Sequence, residues 1–337
     1  MPSVASPAPL PASKPPDGTD ASGSIAGRLR AGLGLHVLER GWLSANQAVF
    51  RASGAAPATV VDTGFTLHAD QTLALVDHAL AGAPVGRIVN THLHSDHCGG
   101  NAALQGRGAV ETWIPSPSMA AVARWDEDAL SYLLTDQPCA RFAADRALVP
   151  GESIVLGEVA WQIHAAPGHD MDAVMLFEPE TRTLISGDAL WEQRLAIIFP
   201  ELVGADGCGP TRATLSLIER LQPRAVVPGH GRPFEDVAAA LAASRERGAA
   251  FERQPERHAQ HAARALVMFH LLEVREAGFS DLVAWMLRTP IYRIVARRAG
   301  LDDAGASAWA AAQLRRLVDE GALLEREGRV AVPSHAH

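Results

Sequence analysis

Short apolar runs separated by glycine and proline dominate the chain from about residue 33. The runs LHVLER, QAVFRA and ATVVDTG are typical of strands, and VGRIVNTH indicates a further buried strand. Between them, residues 68–82 place Leu73, Val76 and Leu80 at near-helical spacing and end in a glycine. A strand, a helix and a strand in this order favour an α/β layered fold.

Strand patterns continue through the middle of the chain. AVETWI predicts one strand, and residues 152–190 predict two hairpin-like pairs. Between these, residues 117–148 are rich in alanine, and we expect a helical insertion there. Residues 211–231 then predict a helix, a short loop and a strand.

From about residue 235 the pattern changes to long helices rich in alanine and arginine. Residues after 262 predict three helices, followed by two short strands about Glu327-Gly328, which is a hairpin signal. Three helices and a terminal hairpin outline a winged helix. The predicted domains are a disordered tail at 1–26, a catalytic domain at 27–250 and a helical winged-helix-like domain at 251–337.

Composition narrows the function classes. With 47% hydrophobic and 20% charged residues the chain is an ordinary globular protein, and a net charge of −8 gives no broad attraction for nucleic acid or anionic membranes. The Pro-, Ala- and Ser-rich tail lacks the apolar run of a signal peptide, and no segment has the length of a membrane span. Three isolated cysteines suit a reducing compartment. We therefore expect a cytoplasmic protein.

The segment THLHSDHCGG, residues 91–100, carries the strongest chemical signal. It places His92, His94, Asp96 and His97 within six positions, and such groups are costly to bury unpaired. A histidine-rich polar loop is the alternative to a metal site, so the decision depends on further ligands. Three later strand ends supply them: APGHD contains His169, SGDAL contains Asp188 and VPGHG contains His230.

Five histidines and two aspartates are enough for two metal ions. A catalytic zinc needs three protein ligands. Two ions with three ligands each, and one further carboxylate shared between them, account for all seven groups. His92 and His94 share one face of an extended segment, and the following turn lets Asp96 and His97 reach a second centre about 4 Å away. We expect Cys98 to be a buried thiol rather than a ligand.

THLHSDH, PGH, GD and GHG in this order resemble the metallo-β-lactamase superfamily over about residues 30–250. The resemblance implies a four-layer αββα sandwich and a metal-dependent hydrolase with a metal-bound hydroxide as nucleophile. It assigns His92, His94 and His169 to the first metal, Asp96, His97 and His230 to the second, and Asp188 to the bridge. The implied cofactors are two Zn²⁺ ions, with Fe or Mn as alternatives, and Asp96 is the implied catalytic residue that orients the hydroxide's proton.

The sequence defines the metal site more closely than it defines the bond that is hydrolysed. The bridging Asp188 argues against antibiotic hydrolysis and matches glyoxalase II-like thioesterases, although the basic residues that hold glutathione in those enzymes cannot be assigned. We predict hydrolysis of a small ester or thioester, in the manner of a hydroxyacylglutathione hydrolase. A lactonase, which would use Tyr132 or Tyr292, and a lactamase-β-like single-strand RNA endonuclease are the alternatives. A DNA-binding regulator with an inactive hydrolase domain is disfavoured because all seven groups are intact.

The predicted partner is a small-molecule acyl substrate, with no nucleic acid and no membrane, and a homodimer is allowed. Trp191 and Phe199, just after Asp188, fit a substrate pocket and core packing equally well. Histidines without motif partners are expected to be ordinary surface or core residues; they include His258 and His261.

Overall fold

The computed structural model describes residues 24–333, and two packed β-sheets organise the larger part of this chain. The first sheet has the order β1-β2-β3-β4-β5-β6, with parallel pairing from β3 to β6. Its strands are β1 (Leu35–Leu38), β2 (Gln47–Phe50), β3 (Thr59–Val61), β4 (Arg87–Val89), β5 (Glu111–Pro115) and β6 (Arg146–Leu148).

The second sheet has the order β11-β10-β9-β8-β7, and only its β10–β11 pair is parallel. Its strands are β7 (Ser153–Leu156), β8 (Val159–Ala165), β9 (Val174–Glu178), β10 (Thr183–Gly187) and β11 (Ala225–Pro228). The two sheets face each other across one apolar core, where Phe50 and Trp161 pack edge to face with ring centroids 5.6 Å apart. Burying such a side chain stabilises the fold by about 1.5–3 kcal/mol.

Helices cover the outer faces of both sheets. Val76 and Leu80 of α2 pack on the first sheet, while Leu215 of α8 and Leu241 of α9 pack on the second. The predicted four-layer αββα architecture is therefore confirmed. The helices of this part are α1 (Ile25–Leu33), α2 (Ala69–Leu80), α3 (Ser95–Cys98), α4 (Asn101–Gln105), α5 (Met119–Arg124), α6 (Tyr132–Thr135), α7 (Phe199–Val203), α8 (Cys208–Leu221) and α9 (Val237–Arg253).

The C-terminal helices build a separate apolar core around Trp285, Leu314 and Val330. This region contains α10 (Pro255–Val274), β12 (Glu276–Gly278), α11 (Phe279–Arg288), α12 (Pro290–Arg298), α13 (Asp303–Asp319), β13 (Leu324–Arg326) and β14 (Arg329–Ala331). The strands form a small sheet of order β12-β14-β13. The predicted hairpin is present, with positive φ at both Glu327 and Gly328.

Two expectations need correction, and one short strand was not expected. The alanine-rich insertion is mostly irregular, since α5 ends at Trp125 in a left-handed conformation and only one further short helix, α6, follows. The C-terminal region has four helices rather than three, because Pro290 cannot continue α11 and begins a new helix. β12 was not predicted.

The predicted domain boundaries at residues 26 and 250 both fall inside helices. Residues 1–23 of the predicted tail lie outside the described residues. Residues 25 and 26 of that tail begin α1, and the side chain of Ser24 caps this helix. The boundary at 250 falls inside α9, and the helix break lies at Gln254. No helix among residues 24–333 is both long and apolar enough to cross a membrane.

Candidate metal centre

The segment after β4, the turns after β8 and β10, and the turn after β11 meet at one edge of the sandwich. Together they bring all seven sequence-predicted residues into one cluster. The first group consists of His92, His94 and His169. Its ring nitrogens converge, with His94 Nδ1 lying 3.1 Å from His92 Nε2 and 2.8 Å from His169 Nε2.

The second group consists of Asp96, His97 and His230, all of them buried. His230 Nε2 lies 3.0 Å from Asp96 Oδ2. Asp188 stands between the two groups, because its Oδ1 lies 3.3 Å from His97 Nε2 and its Oδ2 lies 3.5 Å from His169 Nε2. This is the position that a bridging carboxylate would occupy.

Hydrogen bonds on the outer side of the cluster fix the imidazole tautomers. His169 Nδ1–H donates to the Ile197 carbonyl at 2.5 Å, and His97 Nδ1–H donates to Asp62 Oδ2 at 2.8 Å. When the rings of His169 and His97 are neutral, these outer nitrogens carry the protons, so that Nε2 of each ring would offer its lone pair to a cation at the centre of the cluster. Such outer partners are a regular feature of metal-binding histidines.

Asp62 is a residue of the site that the sequence analysis does not predict. It follows β3 in a left-handed conformation with φ of 57°, which is uncommon outside glycine and is a sign of a constrained site. Its carboxylate accepts hydrogen bonds from Thr91 N and Thr91 Oγ1 as well as from His97. The run ATVVDTG predicts a strand that ends near Asp62, but the contact with His97 depends on the parallel β3–β4 pairing.

We expect Asp62→Asn to lower metal affinity by about 10–100-fold, which is the usual effect of losing such an outer partner. An amide in this place can present its NH₂ group to His97 and favour the wrong tautomer. Competition with a chelator of known affinity would measure the change. Asp77→Asn is the control, because Asp77 lies on α2 in an exposed ion pair with Arg107. Equal affinities for the two variants would contradict the role of Asp62.

Glycines let the backbone approach the cluster closely. A Cβ on Gly229 would overlap the carboxylate of Asp188 and come within 2.8 Å of His97 Cε1. The two glycines that close the THLHSDHCGG segment have the same role, since a Cβ on Gly99 or Gly100 would collide with the backbone of residues 63–66. At each of these three positions a side chain would collide with neighbouring atoms, so glycine is required there.

The donor set fits metal ions. His97 Nε2 and His230 Nδ1 are buried without a hydrogen-bond partner in the described part of the chain, and a cation would satisfy the first of these. Burial disfavours a charged His97, yet the carboxylates of Asp188, Asp62 and Asp96 raise its pKa well above the usual value. These carboxylates thus require a positive charge at the centre of the cluster, and divalent ions held by imidazole and carboxylate ligands supply one.

A cavity of about 700 Å³ opens over the cluster. Trp191 lines it and donates a hydrogen bond from Nε1 to Asp188 Oδ1 at 3.1 Å, and Phe199 lines it with its ring 5.0 Å from that of His94. Both residues therefore belong to the pocket. Of the two tyrosines only Tyr132 reaches the cavity, since Tyr292 is buried in the C-terminal core and donates to the Ala263 carbonyl.

A two-sheet αββα sandwich with a histidine and aspartate cluster at one sheet edge defines a class of metal-dependent hydrolases. Residues 40–230 match the family described as the metallo-beta-lactamase superfamily. The chain therefore belongs to the metallo-β-lactamase superfamily and is a hydrolase of that superfamily.

Relatives with described activities cover much of the chain. A hydroxyacylglutathione hydrolase of Anaeromyxobacter dehalogenans is 31% identical over 61% of this chain and 69% of its own length. The acyl-coenzyme A thioesterase MBLAC2 of Gallus gallus is 26% identical over 59% of this chain and 77% of its own.

Solved structures share the fold. A beta-lactamase domain protein from Burkholderia ambifaria matches with a TM-score of 0.52 and 23% identity over 88% of this chain and 91% of its own. The BLEG-1 B3 metallo-beta-lactamase matches with a TM-score of 0.50 and 21% identity over 62% of this chain and 96% of its own. The first of these matches extends beyond the family segment, so it includes part of the C-terminal region.

Proposed function

We propose that the chain hydrolyses a small ester or thioester and that two zinc ions, held by the seven clustered residues, are its cofactors. The observation that carries the proposal is the composition of the cavity. One wall is the histidine and aspartate cluster, and another is apolar, formed by Leu195, Ile197, Phe199, Met268 and Phe269. An apolar wall beside the reacting centre suits an acyl group better than a sugar-phosphate backbone. The names of the two relatives agree with this substrate class.

The ions would supply Lewis acidity and lower the pKa of water to about 7. Asp96 lines the cavity, and its carboxylate, held by His230, can accept a proton from the attacking water. Burial disfavours the charged form of Asp188, but His97 and His230 lower the pKa of Asp188 well below its usual value, so it stays ionised. Trp191 orients this carboxylate, and Phe199 shields His94 and His169 from bulk water.

The lactonase alternative depends on Tyr132. Its hydroxyl lies 3.2 Å from Cys98 Sγ, and the side chain is buried beside that thiol. Burial raises the pKa of Tyr132, so the hydroxyl stays protonated. The ring thus reaches the cavity, but its polar group contacts the sulfur rather than the cluster.

A side-by-side assay separates the candidate reactions. We expect turnover of thioesters or esters with short acyl chains, and kcat/KM values at least about 100-fold lower for lactones, phosphodiesters and single-stranded RNA. Each activity is compared with that of Asp188→Ala, which removes the bridging carboxylate, and with that of Asp77→Asn as a surface control. RNA cleavage that is lost in Asp188→Ala, together with no activity on any acyl substrate, would overturn the proposal.

A further inference from the structure

One side of the cavity is basic, in contrast to the net charge of −8 of the whole chain. Arg194 follows β10, Arg247 lies on α9, and Arg264 lies on α10 beside His261; all four residues line the cavity. We refer to Arg194, Arg247 and Arg264 as the arginine cluster. Its members come from three separate parts of the chain, so the cluster exists only in the folded protein.

His261 lies among the arginines. Its ring stacks on Phe251 with centroids 5.4 Å apart. Burial, and then the charges of Arg247, Arg194 and Arg264, lower its pKa to about 4. At neutral pH the imidazole is uncharged, and the positive charge of this wall belongs entirely to the guanidinium groups.

Two members of the cluster have no acidic partner. Arg194 and Arg247 are exposed and make no ion pair with a carboxylate within residues 24–333, whereas Arg264 pairs with Glu320 at 2.6 Å. By contrast, Arg245, two residues before Arg247 on the same helix, forms a two-pronged pair with Glu219. The guanidinium groups of Arg194 and Arg247 are therefore available to an anionic ligand in the cavity that they line.

Arg194 is also held in place. Its guanidinium lies 5.0 Å above the ring of Trp42, and that ring stacks on His230 with centroids 5.5 Å apart. One indole thus connects the arginine cluster with the proposed metal centre. A substrate that reaches both must carry its cleavable bond and its anionic groups on one molecule.

The guanidinium fork matches phosphate oxygens in pairs of hydrogen bonds. Two unpaired arginines with a third beside them offer more charge than one carboxylate requires. We infer that the arginine cluster binds the phosphate groups of a phosphorylated thiol carrier of the coenzyme A class, with the acyl thioester at the histidine and aspartate cluster. This inference rests on the proposed thioester hydrolysis and specifies its substrate.

Direct binding tests the phosphate site without turnover. The probe is adenosine 3′,5′-bisphosphate, which carries phosphates of this carrier without the thiol, titrated calorimetrically into the full chain. We expect Arg194→Gln/Arg247→Gln to raise its Kd at least about ten-fold, because hydrogen bonds to charged groups are lost. The matched control is Arg220→Gln/Arg257→Gln, which removes the same charge from exposed positions outside the cavity and leaves Kd unchanged.

Kinetics connect the site with the reaction. For the cavity variant, kcat/KM is expected to fall at least about ten-fold more for an acyl-coenzyme A than for the uncharged N-acetylcysteamine thioester of the same acyl group. Equal Kd values for the two double variants would overturn the inference. So would binding of glutathione that needs the arginines while the bisphosphate does not bind. Arginine-dependent bisphosphate binding without hydrolysis of any thioester would support the phosphate site and refute the proposed function.

Discussion

Asp96→Asn is expected to lower kcat by about 10²–10⁴-fold, the range that proton transfer by a positioned side chain contributes. Asp96 is buried and lines the cavity, and its Oδ2 lies 3.0 Å from His230 Nε2. An amide has nearly the same shape and keeps one oxygen for a metal ion, but it cannot take up a proton at pH 7. Steady-state kinetics with a thioester substrate and elemental analysis of the same sample measure the two properties separately.

Two further variants make the result specific. His169→Ala removes one nitrogen of the first group and should lose more metal than Asp96→Asn. Asp172→Asn is the control, because Asp172 lies close in sequence to His169 but bonds Ser118 instead of joining the cluster. Activity of Asp96→Asn equal to that of the unaltered chain would contradict the catalytic role of Asp96.

The clustered residues were predictable because each follows an apolar strand. The carboxyl ends of adjacent parallel strands meet at one sheet edge, so the parallel β10–β11 pair brings Asp188 and His230 together. His92 follows β4 of the other sheet and meets them because the two sheets pack face to face. The glycines at 99, 100 and 229 have the same origin, since they make room for backbone at that edge. These signals are local, so they can be recognised in the sequence without knowledge of the tertiary structure.

The surroundings of the cluster were not predictable in the same way. The role of Asp62 depends on its left-handed backbone and on a partner 35 residues away. Arg247 and Arg264 reach the cavity through the packing of α9 and α10, and the sequence shows them only as two among many arginines on helices. Which face of a helix meets a cavity is decided by tertiary contacts.

His258 shows how the C-terminal helices support the site. The Ile198 N–H donates to His258 Nε2 at 3.1 Å, and the Ile197 carbonyl of the same peptide group accepts from His169 Nδ1. One peptide unit therefore links α10 to the cluster, and hydrogen bonds in such a chain strengthen each other. His258 is buried, as expected of a core histidine. Through this contact, however, it also helps to hold the peptide group that orients His169.

Metal removal is expected to abolish hydrolysis and to lower Tm by about 10–20 °C. Purified protein should contain close to two transition-metal ions per chain, mostly zinc, and a chelator should remove them. Each site filled at 100 times its Kd stabilises the folded chain by about 2.7 kcal/mol, and 1 kcal/mol corresponds to roughly 2–4 °C in a domain of about 150–250 residues. The physical reason is the cluster itself, in which Asp96 and Asp188 are buried close together and need a positive charge between them.

Elemental analysis and thermal unfolding, with and without added zinc, test this prediction on the full chain. His92→Ala should lower both the metal content and the increase in Tm caused by zinc, because His92 belongs to two of the three ligand groups. His78→Ala should change neither, since His78 is exposed on α2 and far along the chain from every ligand. Less than one ion per chain after zinc is supplied would contradict the two-metal proposal. A normal metal content with no increase in Tm would contradict the expected stabilisation, because ions raise Tm only when they bind the folded chain more tightly than the unfolded chain.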